Sequence, residues 1–188
     1  MKRYIFGSGG FAKEVLCLLN DVYKEDAFFC GFIDISTQKE SVEIGRIKYP
    51  IISELEFKST VKANLNEIEL FIGIASTDII NRISNEFSNF NFPSLIHKSF
   101  IFDKNSVTIG RGNIITAGCI FTCCISIDSF NIFNTNVVVG HDCSIGSFNI
   151  FLPKTQISGA VQIGDSNFFG MNSSVIQGKK IGNLNRIG

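Results

Sequence analysis

The sequence predicts two domains: a small parallel α/β domain over residues 1–95, and an all-β domain over 96–188 that forms a left-handed parallel β-helix of hexapeptide repeats. Three observations predict it. From Ile109 onward every sixth residue is apolar: Ile109, Ile115, Phe121, Ile127, Phe133, Val139, Ile145, Phe151, Ile157, Ile163, Phe169, Val175, Ile181 and Ile187. A second period of 18 lies over the first, with Ile-Gly at 109, 145, 163 and 181 and asparagine at 113, 131, 149, 167 and 185. The first half of the chain instead alternates short apolar runs with helical stripes. In a chain that is 45% hydrophobic, one register this uniform arises by chance on the order of 1 time in 10,000.

The first element is carried by "RYIFGSGGFAKEVLCLLND", in which a short strand meets a glycine turn and then a helix with Val15, Leu18 and Leu19 on its apolar side. "FFCGFID" (28–34) reads as a second strand ending in Asp34, and "IELFIGIAS" (68–76) as a third. "DIINRISNEF" (78–87) reads as a helix with Ile79, Ile83 and Phe87 on one face. Strands alternating with helices give a parallel sheet, and the boundary falls within "FPSLIHKSF", residues 92–100.

In the second half, 18 residues make three hexapeptides and one turn of a triangular prism, so residues 18 apart stack about 4.8 Å above one another. Hexapeptide coils wind left-handed, against the usual crossover rule. The register residues fill the prism, and the asparagines stack as a ladder whose amides satisfy one another and nearby backbone. Nineteen phenylalanines and no tryptophan suit such a stack of flat fillers. Ile125 and Val137 lie off the register and are expected on the outer faces, where a monomer would leave them in water; a homotrimer is predicted to cover them.

Composition excludes other classes. Seventeen basic and seventeen acidic side chains cancel and no basic run occurs, so nucleic acid is not an expected partner. "MKRYIFGSGG" lacks a signal-peptide core and no window reaches a membrane-spanning length, so no membrane insertion is expected and the reading is cytoplasmic. The six cysteines follow neither metal nor disulfide spacing and read as free thiols.

Two stretches carry chemistry. "GSGG" (7–10) opens a helix after a strand, where bare N–H groups favour a phosphate, and Asp34 at the end of the next strand is placed to face a ribose or base. In "VVVGHDCSIG" (137–146), His141 is followed at once by Asp142, with Gly159 one coil above and Cys123 one coil below. His141 is expected to face outward beside a corner, its basicity supported by the acid, with the glycine leaving a slot for a thin ligand. A β-helix can also present three histidines to zinc, as the gamma class of carbonic anhydrases does. This chain has only His97 and His141 and would have to recruit Cys123 or Cys124, so no metal is expected.

"YIFGSGGFAKEV", "GFID", "SLIHKSF", "VVVGHDCSIGSFNI", "ISGAVQIGDSNFFGMNSSVI" and "KKIGNLNRIG" together resemble the bacterial sugar acetyltransferases that include sialic acid O-acetyltransferases and nucleotide-linked amino-sugar N-acetyltransferases. The resemblance covers nearly the whole chain. It implies a Rossmann-like substrate domain, a trimer, and acetyl-CoA bound between subunits for N-acetylation of a nucleotide-linked amino sugar in surface glycan biosynthesis. It further implies that His141 and Asp142 are catalytic, and that Gly9, Gly10, Phe11, Asp34 and Ala75 hold the nucleotide-sugar. Ile150, Gly159, Gly170 and Met171 then hold acetyl-CoA. The chain departs from the family at Phe11, where a histidine is frequent, and at Ile150, where many members have a second histidine. After Gly188 the family usually continues with a further glycine-rich stretch. Two other readings stay open: a sialic acid or other sugar O-acetyltransferase, and a noncatalytic trimeric β-helix scaffold.

Overall fold

The computed structural model describes residues 1–24, 28–35, 39–61 and 65–188. It divides into two compact units, Met1–Ile74 with Arg82–Pro93, and Ala75–Asn81 with Ser94–Gly188.

The first unit contains β1 (Lys2–Phe6), α1 (Gly10–Tyr23), β2 (Phe29–Asp34), β3 (Ser41–Ile44), β4 (Ile47–Ser53), α2 (Glu54–Thr60) and β5 (Ile68–Ile72). The strand order is β3-β4-β2-β1-β5, parallel throughout except for the β3–β4 hairpin. Helix α1 buries Ala12, Val15, Leu16, Leu18 and Leu19. Ser53 caps α2 by accepting from the Glu56 N–H at 3.1 Å, with Glu54 and Glu56 in the first turn. Phe6, Phe57, Phe87 and Phe90 form a cluster of tilted and edge-on rings. Two glycines are dictated by space. A Cβ at Gly73 would stand 2.7 Å from Ala12 Cα, and Gly7 has φ +93 with Ile74 Cγ1 at 2.5 Å from its missing Cβ.

Helix α3 (Thr77–Glu86) corrects the expected stripe: Ile80, Ile83, Ser84 and Phe87 are buried, whereas Ile79 is only partly so. Both sets have helical spacing, so the period alone cannot choose between them. The β3–β4 hairpin and α2 lay outside the sequence reading.

The second unit stacks short parallel strands into three sheets, an arrangement that fits a left-handed β-helix. From Val107 onward register is 18 along each column; Ile120, Val138, Gln156 and Ser174 pair in turn. The first coil is one residue longer: Ile101 pairs with Ile120 but Val107 with Ile125, so the extra residue lies in the corner at 103–106. Asp103 holds that corner by accepting from the Ser106 hydroxyl and the Asn105 N–H.

Register residues from Ile115 to Val175 are buried, and Ile109, Ile181 and Ile187 are partly buried at the ends. Phe133, Phe151 and Phe169 stack at 4.8 and 4.6 Å. The asparagine ladder is continuous: Asn131, Asn149, Asn167 and Asn185 each donate main-chain and side-chain N–H to the Oδ1 of the asparagine one coil below. Ile125 and Val137 are buried rather than on the outer faces, at 1% and 0% exposure. They lie two residues before a register position, and strand alternation turns both inward with the residue between them outward, as in Ile125-Ser126-Ile127.

Thirteen corner residues, Gly112, Gly118, Cys124, Phe130, Asn136, Asp142, Phe148, Lys154, Ala160, Ser166, Asn172, Gly178 and Leu184, repeat every six positions with positive φ. Each turns the chain from one face of the prism to the next through one left-handed residue, at a cost of about 1 kcal/mol wherever a side chain is present. Among the described residues no helix is long and apolar enough to cross a membrane.

Candidate functional site

One edge of the prism runs through the corners at Cys124, Asp142, Ala160 and Gly178. The corner backbone breaks the strand alternation and turns His141 outward, its side chain 52% exposed. Left-handed φ at Asp142, a conformation Asp tolerates better than most residues, sets its carboxylate beside the imidazole. His141 Nδ1 lies 2.7 Å from Asp142 Oδ2. A carboxylate only accepts, so Nδ1 carries the proton and Nε2 is the ring's free acceptor.

The imidazole lies over Gly159. A Cβ there would stand 2.5 Å from Nε2, 2.6 Å from Cε1 and 3.0 Å from Cδ2, and no other atom is as close. The main chains are tied as well: Ala160 N–H donates to the His141 carbonyl at 2.7 Å, and Asp142 N–H to the Cys123 carbonyl at 3.1 Å. Cys143 is buried behind the histidine, its thiol 3.2 Å from the Ser158 carbonyl oxygen and 3.6 Å from that of His141. Burial pushes the Cys143 thiol up. Exposed Cys123, one coil below, is also raised, by desolvation and then by Cys124, Asp142 and Asp103. Neither is set up as a thiolate nucleophile.

The other residues expected near acetyl-CoA lie elsewhere on the prism. Ile150 is fully buried and pairs in register with Ile132 and Phe168. Gly170 and Met171 sit at the corner preceding the Ser174–Val175 strand, on a different edge from His141; Gly170 N–H donates to Ile187 O at 2.6 Å, and Met171 is exposed. His97 is on that edge too, its Nδ1 2.7 Å from Ser99 Oγ, which accepts from Gly118 N–H. Among the described residues no group of three or more His, Cys, Asp or Glu side chains is placed to hold a metal ion.

In the first unit, Gly9 is the N-cap of α1 and has no side-chain cap, and space around the missing Cβ atoms of Gly9 and Gly10 is open. Phe11 is partly exposed on the first turn. Asp34 ends β2, accepts from its neighbour Ile35 N–H at 2.8 Å, and accepts from the Ser8 hydroxyl. Ser8 is the residue here that sequence reasoning passed over; a hydroxyl between the glycines of the turn was its only signal. The turn lies at the carboxyl end of β1, with β2 on one side and β5 on the other, which is where strand order reverses and where open α/β sheets bind ligands. Ala75, exposed after β5, falls in the other compact unit.

Fold and site thus define an α/β unit with an open glycine turn, joined to a β-helix with a solvent-facing His–Asp pair above a glycine. No protein-family model matches the chain, and no curated protein matches it. Solved structures do. The acetyltransferase domain of PglB from Neisseria gonorrhoeae, in complex with acetyl coenzyme A, is 20% identical with a TM-score of 0.83, over 99% of this chain and 92% of that one. PerB from Caulobacter crescentus, in complex with CoA and GDP-perosamine, is 24% identical with a TM-score of 0.83, over 97% and 84%. WeeI from Acinetobacter baumannii is 22% identical with a TM-score of 0.80, over 100% and 95%. At these identities the likeness establishes the fold.

Proposed function

We propose that the protein is an acetyl-CoA-dependent acetyltransferase that N-acetylates a nucleotide-linked amino sugar. The observation that carries the reading is the His141–Asp142 pair, a half-exposed imidazole oriented by a carboxylate and seated over Gly159. The same fold in solved structures with acetyl-CoA, or with CoA and GDP-perosamine, supports it.

The residues present suit such a ligand. A Cβ at 159 would collide with the ring, so glycine lets the imidazole lie close against the main chain of the neighbouring coil, where Nε2 would meet an acetyl donor and acceptor brought to this edge. Acetyl-CoA, when bound, supplies an acyl group activated as a thioester. Nε2 is the base that takes the proton an attacking amine loses, and Asp142 holds the ring in the required tautomer and stabilises the imidazolium; such help is worth roughly 10²- to 10⁴-fold. In the first unit, the Gly9–Gly10 turn offers backbone N–H groups to phosphate, and Asp34, braced by Ser8, offers acceptors to ribose or base. This gives that unit the role of a Rossmann-like nucleotide-sugar domain.

The reading includes a homotrimer. With Ile125 and Val137 inside, its support passes to the outward column of Ile101 and Ile120, 63% and 37% exposed, whereas the column Thr108, Ser126, Ser144, Gln162 and Lys180 is polar.

Incubation with acetyl-CoA and a panel of UDP-, GDP- and dTDP-linked amino sugars should yield one product heavier by an acetyl group and stable to hydroxylamine, as an amide is and an ester is not. A labile product would assign O-acetylation. Folded protein that binds neither CoA nor any sugar nucleotide would overturn the reading in favour of a scaffold.

A further inference from the structure

Where the residue two positions before a register residue is polar, its side chain reaches corner carbonyls of the β-helix from inside. On one edge these are asparagines, such as Asn113 donating to Gly110 and Asp128 carbonyls, both at 2.9 Å, and Asn149 to Gly164 O at 2.9 Å. On the second, Thr155 donates to Leu152 and Gly170 carbonyls, Ser173 to Gly170, and Cys119 lies 3.3 Å from Asn134 O. On the third edge, which carries His141, the buried residues of the same column are Val107, Ile125, Cys143 and Val161. Cys143 is the only one of these four with a side-chain proton to donate.

The carbonyls within its reach matter. One is that of Ser158, the residue before Gly159, and the other is that of His141 itself. The thiol therefore sits between two neighbouring stretches of main chain, the one bearing the imidazole and the one over which it lies, which the Ala160 N–H also joins by donating to the His141 carbonyl. A thiol with a raised pKa stays protonated and keeps donating across the neutral range.

We propose that Cys143 is a positioning residue that sets the height of the His141 ring above Gly159. The inference rests on His141 acting as the base. Removing the thiol proton should let the two main-chain stretches separate without opening the core, because valine and isoleucine already occupy the same column at 161 and 125.

The test compares Cys143→Val with Cys143→Ser. The valine variant should melt within a few degrees of the parent and keep its affinity for acetyl-CoA, yet lose about 10-fold in kcat, since displacement of a base by a fraction of an ångström is costly. Serine, which restores a donor, should recover most of that loss. Proton NMR gives a readout free of turnover: with only two histidines, the His141 ring signals should shift in Cys143→Val while those of His97 stay. In a His141→Ala background the valine change should have no further effect on rate. If Cys143→Val leaves both kcat and the His141 signals unchanged while His141→Ala is impaired, the positioning role is wrong and the base assignment stands. If His141→Ala itself turns over normally, the underlying reading falls instead.

Discussion

Substituting alanine for Gly159 tests the geometry of the site with a single methyl group. Gly159 does not have positive φ, so its backbone accepts alanine without strain, and the atoms the new Cβ meets belong to the His141 ring, the nearest at 2.5 Å. Ordinary contact between such atoms begins near 3.5 Å, so the ring must retreat by about 1 Å. It can do so cheaply, being half exposed and able to rotate. Folded stability should therefore change by under about 1 kcal/mol, and the loss of chain entropy in the unfolded state works in the variant's favour. The ring cannot retreat and also keep both its 2.7 Å bond to Asp142 and the position of Nε2. A misplacement of about 1 Å costs on the order of 100-fold in rate, or about 2.7 kcal/mol. Steady-state kinetics on the acceptor identified by screening, alongside thermal melts, should show kcat/KM for acetyl-CoA down by that factor at nearly constant Tm. Gly182→Ala is the control, because nothing lies within 4 Å of its missing Cβ. Near-native kcat/KM in Gly159→Ala would refute the placement of the reaction over residue 159.

Three other outcomes follow from the same structure. Asn149→Ala removes a fully buried rung that bonds to Asn131, Gly164 and Asn167, and should destabilise the β-helix by about 2–4 kcal/mol in urea unfolding; a cost under 1 kcal/mol would mean that the ladder is dispensable. Lys154→Gly relieves an exposed residue held at φ +62 and should raise Tm slightly, whereas a fall would show that the corner is not strained. Burial raises Cys119 to about 11 and raises Cys143 as well, so both stay neutral thiols at pH 8 and should resist iodoacetamide while exposed Cys17 and Cys124 react; mass spectrometry showing early labelling at 119 or 143 would contradict the packing.

Much of the β-helix was legible because its signal is repetitive. One misassigned residue barely disturbs a register of fourteen, and each coil repeats the same burial demand. The second interior position was legible only on the edge where asparagine repeats; on the other two, small, polar and apolar residues share it, as Cys119, Ile125 and Thr155 do, and no hydropathy pattern groups them. The left-handed corners were hidden for a related reason. Only three of thirteen are glycine, so the usual marker of positive φ was missing where the coil imposes that conformation by its own geometry. In the α/β unit, the β3–β4 hairpin escaped because its turn lacks an Asn-Gly signature and β4 contains Pro50, which argues against a strand from sequence alone. The dyad itself was readable as two adjacent letters. The 18-residue period also placed Gly159 one coil on from His141; what the letters could not convey was that the imidazole itself, and not an open slot, takes up the space the glycine leaves.

The position of the dyad on this edge, rather than another, follows from what the edges need for stability. Two edges spend their inward polar groups on corner carbonyls, through asparagine on one and through threonine, serine and cysteine on the other. A column committed to that task leaves little latitude in the corner beside it, because its side chains satisfy main chain of their own coil or of the next and a change disturbs both. On the third edge Ile125 and Val161 give the corner only hydrophobic support, and the residues before it are free to be Cys123, His141 and Gly159 in successive coils. Chemistry placed there costs the fold no ladder. The one polar group retained in that column, the Cys143 thiol, stands behind the histidine. A prism with one edge released from structural duty can thus hold an imidazole, its paired carboxylate and the glycine it packs on within a single coil spacing, and the proposed chemistry needs its groups on such rigid elements.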